Sequence, residues 1–280
     1  MNKEKKIYYI ALDRIRGCQY PVDMSAFRGN TRFISNYLSK AVRPLNLIGN
    51  GLYNMIGVKV TSDESKIGPL FNNSVQIYLH ISNEEFVAYK SMTNLKDRYE
   101  FYLSCLERGY KLAATDYNIP VDELLKLHQQ FRDGGYKNEW IWKKKPLKEY
   151  GLYLIFRCRF TTFDFTLSLE VYDLKKTHLI TEGLITRRAP YEVSYDWVFN
   201  KIALSNNTII ENDYYYYDKN LDKCHKIINI EKDTLYIFNE FSKTNFAINL
   251  IKLQNGEFNV SYLLGVGRDD DAEKIKNLTW

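Results

Sequence analysis

The sequence has little of what metal binding, export or covalent catalysis needs. Its four cysteines, Cys18, Cys105, Cys158 and Cys224, lie far apart with no CxxC pair. That spacing argues against a disulfide framework, and reduced thiols in the cytoplasm are the simpler expectation. HExxH and EF-hand loops are missing, and the acidic run Asp269-Asp270-Asp271 reads as solvated tail, so neither a metal nor a cofactor is expected. No apolar run approaches the roughly 18 residues of a membrane span. The start, MNKEKKIYYIALDRIRG, passes into Asp13 and Arg14 without a signal-type apolar core. The expectation is a cytoplasmic chain with no membrane partner.

Histidine is scarce too: His80, His128, His178 and His225 are all there is. His80 falls in a strand pattern and His128 on a buried helical stripe, where hydrogen-bonded structural roles are expected. Cys224 and His225 are neighbours on a strand pattern, and alternation sends adjacent side chains to opposite faces, so they form no dyad. There is no GxSxG elbow. Gly49-Asn50-Gly51 and Gly265-Val266-Gly267 lack the further glycine or GK[ST] of a phosphate cradle and read as turns. Asp164 and Glu170 share the polar side of one strand but are roughly 20 Å apart, too far for glycoside chemistry. No catalytic residue is expected, and the chain reads as a non-enzyme.

Aromatic residues are what the chain has in quantity: 23 Tyr and 15 Phe. With Lys, Asn and Ile plentiful, this follows AT-rich codon usage; the functional alternative is a Tyr-rich contact surface, since Tyr is large, stiff and amphipathic. The net charge of +5, from 39 basic and 34 acidic side chains, falls short of a nucleic-acid footprint. Its excess is local, in Lys3, Lys5 and Lys6 and in Lys143, Lys144, Lys145 and Lys148, read as a solvated tail and a solvated loop.

Hydrophobic periodicity predicts an α+β protein, with antiparallel β-meander sheets and a central helical hairpin over about residues 95–133. Strands are expected over 7–12, 52–60 and 75–81, with a helix over 25–40. Leu95, Tyr99, Leu103, Leu106 and Tyr110 form one helical stripe, and Val121, Leu124, Leu125, His128 and Phe131 a second, with Asn118 as cap and Gly134-Gly135 as stop. LYLIFRCRF and FDFTLSLEV alternate as a β-hairpin, followed by a strand over 177–186. A helical turn is expected over 195–199 and strands over 208–211, 214–217, 226–230 and 234–238. Asn255-Gly256 signals a tight hairpin turn. The chain divides either into 1–135 and 136–280 or runs as one continuous domain.

One segment reads as a partner-binding site: Asp213, Tyr214, Tyr215, Tyr216 and Tyr217, where strand alternation would leave one pair of tyrosines exposed among acids. An edge strand covered by its own loop is the alternative.

The run FDFTLSLEVYDLKKTHLITEGLITRRAPYEVSYDWVF, residues 163–199, resembles bacterial immunity proteins encoded beside polymorphic toxins. The resemblance implies a cytoplasmic, motif-poor α+β protein that neutralises a toxin domain by direct binding. The basic balance departs from the acidic surface expected of a nuclease inhibitor, which points to another kind of toxin or to a locally acidic face. The leading expectation is therefore a protein-binding module of the immunity or antitoxin kind. The alternatives are an enzyme acting on a nucleotide or sugar, and an RNA-associated protein using Arg157, Arg159, Arg187 and Arg188 on a sheet, although the RNP pattern is missing. Oligomeric state and partner identity are not encoded legibly.

Overall fold

The computed structural model describes residues 4–190, 201–205, 215–218, 223–226, 233–238 and 244–262. The helical turn expected at 195–199, the strand at 208–211 and the tail after Gly265 lie outside them. The fold is α+β, in two compact units: Met1–Asn138 with Thr161–Phe163, and Glu139–Phe160 with Asp164–Trp280.

The first unit runs β1 (Tyr9–Arg14), α1 (Phe27–Val42), β2 (Met55–Thr61), β3 (Lys66–Ile67), β4 (Ser74–His80), α2 (Asn83–Ser91), α3 (Leu95–Tyr117) and α4 (Val121–Asp133). Its sheet has the order β1-β2-β4-β3. β1/β2 and β2/β4 are parallel, and β3 is antiparallel to β4. The meander expected from sequence is thus confined to the second unit. The first uses α1 as a crossover, which is what parallel neighbours require.

α1 does more than connect. In β1, Ile10 and Leu12 turn their backbone polar groups away from β2, and α1 supplies hydroxyls to meet them. Ser39 Oγ accepts from Ile10 N–H at 2.9 Å and donates to Ile10 O at 3.2 Å. Ser35 Oγ accepts from Leu12 N–H at 3.1 Å, and Thr31 Oγ1 donates to Leu12 O at 2.7 Å. Thr31, Ser35 and Ser39 recur every four residues, so they stack on one helical face, and all three are buried. The helix stands in for a missing strand and closes an edge that would otherwise be open to other chains.

α3 and α4 form the expected hairpin, but their junction is built differently. Asn118, read as the cap of α4, is the left-handed C-cap of α3 (φ 49°), and its N–H donates to Ala114 O. In α4 the buried positions are Leu124, Leu127, His128 and Phe131, with Leu127 in the place expected for Leu125. Gly109 lets α3 lie directly on β2, because a Cβ there would come within 2.5 Å of Val58. α2 escaped the sequence reading although Ser82-x-x-Glu85 spells its start. Glu85 N–H donates to Ser82 Oγ, and Glu85 Oε2 accepts from Ser82 N–H, a reciprocal capping box.

In the second unit, β5 (Asn138–Leu147), β6 (Leu152–Phe160), β7 (Phe165–Asp173) and β8 (Leu179–Arg188) form a sheet in that order. β6/β7 and β7/β8 are antiparallel. Leu152, Leu154, Phe156, Cys158 and Phe160 are buried, as alternation predicts, and so are Phe165, Leu167, Leu169 and Val171. Phe163 is the exception: it precedes β7 in the turn and is exposed. The lysine run is not a loop but part of edge strand β5, where Lys143, Lys144, Lys145 and Pro146 oppose pairing with a further strand.

A second sheet has the order β14-β13-β12-β9, from β9 (Lys201–Ser205), β12 (Thr234–Phe238), β13 (Thr244–Asn249) and β14 (Ser261–Tyr262). Asn255-Gly256 does not make a two-residue hairpin. It ends α5 (Leu250–Gln254), a short helix between β13 and β14, where Gly256 (φ 78°) donates to Leu253 O. The apolar stretch before it made a helical turn, so the positive φ serves a helix end rather than a strand reversal. Past α5, Phe258 packs on Gly183 of β8, where a Cβ would meet its ring at 2.4 Å. Tyr150 also ties the unit together, donating to Asp233 Oδ1 at 2.7 Å and accepting at its carbonyl from Gln254.

Ser39→Ala strips the partner from two buried backbone groups of Ile10 and should lower unfolding free energy by about 1–3 kcal/mol. Gly109→Ala, which overpacks against Val58, should cost about as much. Urea midpoints compared with that of Ser91→Ala, an exposed hydroxyl, measure both; midpoints equal to the control would refute the edge-sealing role.

Candidate functional site

Of the tyrosine segment expected to bind a partner, Asp213 and Tyr214 lie outside the described residues. Tyr215, Tyr216 and Tyr217 stand on β10 (Tyr215–Asp218), which pairs antiparallel with β11 (Lys223–Lys226). The register sets Tyr216 opposite His225 and Tyr217 opposite Cys224. Among the described residues this ribbon joins none of the three four-stranded sheets.

Ligands of open sheets with parallel strands commonly sit beyond the strands' carboxyl ends. There the first unit gathers residues that sequence reading kept apart. Cys18 Sγ lies 3.6 Å from Thr61 Oγ1 and 3.7 Å from Asp63 Oδ2. His80 Nδ1 lies 2.9 Å from Asp63 O. The thiol thus addresses a carboxylate while the imidazole addresses a backbone carbonyl, and no thiol–imidazole pair forms among the described residues. The neighbours are tied up likewise. Arg28 pairs with Asp13 at 3.3 Å, and Arg108 joins Glu85 at 2.6 Å and His80 O at 3.0 Å. Tyr20 donates to Ile15 O and Val60 O, and its burial pushes its hydroxyl up to about 12. In the same unit Asp23, Phe27, Asn30, Lys90 and Arg98 line a cavity of about 60 Å³. Ligand pockets start at about 300 Å³.

The carboxylates weighed for glycoside chemistry go to separate arginines. Asp164 pairs with Arg187. Glu170 takes Arg157 in a two-pronged fork, Oε1 at 2.6 Å from Nε and Oε2 at 3.2 Å from Nη2. That fork sits on the solvent side of the β5–β8 sheet, the opposite face from Leu154 and Phe156. Alternation puts Tyr153, Ile155, Arg157 and Arg159 there from β6, and Ser168, Glu170 and Tyr172 from β7. Tyr153 stands opposite Tyr172. Lys176 Nζ lies 3.9 Å from the Tyr153 ring centre, and the Tyr172 hydroxyl donates to Glu170 at 3.3 Å. Leu184, opposite Ser168, and Ile141 on β5 are exposed apolar side chains of the same sheet. The face is therefore broad and mixed, with Tyr and Arg side chains already held in place.

No known family, curated protein or solved structure matches this chain.

Among the described residues Cys18 and Cys105 are free thiols, Cys105 buried and Cys18 half-buried, and Cys158 is buried. Cys105 is pushed up to about 12 by burial, which keeps it a thiol. His128 departs from the hydrogen-bonded role expected of it. It is fully buried against Tyr110, with ring centres 5.6 Å apart, and neither ring nitrogen has a partner. Burial, with Arg132 adding to it, lowers its pKa to about 4 from 6.5. The Tyr110 hydroxyl is buried without a partner as well, so α3 and α4 meet across two unsatisfied polar groups.

Below pH 6.5 the unfolded chain takes up a proton at His128 that the folded chain refuses until about pH 4. Stability is therefore unaffected by this group above 6.5, falls with pH through that window, and levels off below it. The loss amounts to about 3 kcal/mol. His128→Leu should remove this part of the pH dependence; equal slopes for both proteins in urea titrations between pH 7 and 4 would show that the imidazole is solvated.

Proposed function

We propose that the chain is a non-enzymatic protein-binding module of the immunity or antitoxin kind, working in the cytoplasm and neutralising a toxin domain by covering it. The supporting observation is the solvent face of the β5–β8 sheet, where Tyr153, Ile155, Arg157, Tyr172 and Leu184 share a rigid antiparallel platform. Tyr and Arg are the residue types that carry most binding energy at interfaces. The Arg157–Glu170–Tyr172 network and the Lys176–Tyr153 contact restrict these side chains before binding, which lowers the entropy lost on docking. Charges of both signs share the face, Arg157 and Arg159 beside Glu139 and Glu170 with Glu182 opposite Glu170, which suits a protein surface better than a polyanion. The free thiols of Cys18 and Cys105 fit a reducing compartment. β7 and β8 lie within residues 163–199, the stretch whose resemblance to immunity proteins supports this reading.

The decisive test asks whether a gene beside this one encodes a toxic protein and whether cells expressing it survive with this chain and not without it; absence of such a neighbour or of rescue removes the immunity reading. In a purified complex, Ile155→Asp and Tyr172→Ala should each weaken binding by about 30-fold or more. Their thermal unfolding should stay close to that of the parent. Unchanged affinity in both would move the interface elsewhere.

A further inference from the structure

The opposite end of the first unit's sheet carries a feature that protein binding by the second unit does not use. At the amino ends of β1, β2 and β4, two turns hold apolar side chains in water: Phe71 is 64% exposed and Leu52 56%, and Leu45, Ile48 and Tyr8 are exposed beside them. These turns are built firmly. Phe71 and Ser74 exchange backbone hydrogen bonds at 3.1 and 2.9 Å around Asn72 and Asn73, both at positive φ. Asn54 N–H donates to Asn73 O at 2.9 Å, joining the Phe71 turn to the Leu52 turn. Lys5 N–H donates to Gly51 O, and Ile7 N–H to Leu47 O, which fix the chain start against the same loop. Phe71 and Leu52 are therefore projected from one rim and do not fold back on the core.

Three cations lie on the adjoining segments, each held by neutral oxygen or a ring. Lys5 Nζ donates to Asn73 Oδ1 and Leu52 O, and Lys6 Nζ to Asn46 Oδ1 at 2.8 Å. Arg43 Nε donates to Tyr8 O, and its guanidinium lies 5.0 Å from the Tyr9 ring centre. Among the described residues no carboxylate pairs with any of the three, so their charge is positioned and in excess; Glu4, whose side chain lies against Gly51, is an acid on the same rim.

We infer that this rim docks on an anionic lipid surface, with Leu52 and Phe71 entering the acyl boundary and Lys5, Lys6 and Arg43 lying among the headgroups. Apolar points set apart on two turns match a fluid boundary, which closes around each without needing a complementary shape. Fixed cations without acid partners match negative lipid, each worth about fivefold in partitioning. The contact is peripheral, since no helix among the described residues is long and apolar enough to cross a membrane. It is independent of toxin binding by the β5–β8 face.

Sedimentation of the full chain with phosphatidylserine/phosphatidylcholine vesicles, and with phosphatidylcholine vesicles alone, tests this directly. Binding is expected to the anionic vesicles, at least tenfold weaker to the neutral ones, and reduced by high salt. Leu52→Asp with Phe71→Asp should abolish it, and Lys5→Gln, Lys6→Gln and Arg43→Gln together should reduce it about a hundredfold. Phe163→Asp, an exposed Phe away from the rim, should leave it unchanged, with circular dichroism confirming folding throughout. Absence of binding to anionic vesicles overturns the inference. So does equal loss with Phe163→Asp, or binding to soluble polyglutamate in place of vesicles, which would make the rim a site for acidic protein.

Discussion

The hydroxyl ladder between α1 and β1 is the contact on which the first unit rests. A β-strand at a sheet border has polar groups on one side that water or another chain must satisfy, and burying them unsatisfied costs several times what a hydrogen bond adds. Thr31, Ser35 and Ser39 settle this for Ile10 and Leu12 with side chains short enough for the helix to lie against the strand. That closure holds the α1 crossover against β1, which runs parallel to β2. The second unit solves the same problem at β5 by charge, keeping the border wet.

Periodicity revealed most of this architecture. The two-residue alternation in LYLIFRCRF and FTLSLEV located β6 and β7 and named their buried residues, because a single inside face imposes a regular pattern. α3 and α4 were legible for the same reason at a different period. Parallel pairing in the first unit was not, since strand direction depends on where α1 returns the chain. The polar stripe of α1 was equally hidden: hydroxyls at i, i+4 and i+8 look like a solvated face until the strand edge they serve is known. β5 was read as a loop because a run of lysines suggests one, whereas at a border lysine is compatible with a strand.

Sites were harder to read than elements. The meeting of Cys18, Asp63 and His80 depends on three strand ends that are distant in sequence. Once assembled, its hydrogen bonds commit the thiol and the imidazole to different oxygens, and proximity alone yields no relay. The candidate binding face was present in the sequence as the polar half of the β6 and β7 alternation, the half that carries no burial signal. Tyr153 and Tyr172 become a pair only through register.

Phe258 over Gly183 ties the end of the described chain to a strand made some seventy-five residues earlier. During synthesis the first unit has nearly all its sequence in hand while β5–β8 still waits for the ring that fills the space above Gly183. The order of emergence from the ribosome therefore favours an early first unit and a late second one. A nascent or shortened chain ending before Phe258 would display a hollow in its β5–β8 sheet that chaperones and proteases are built to find.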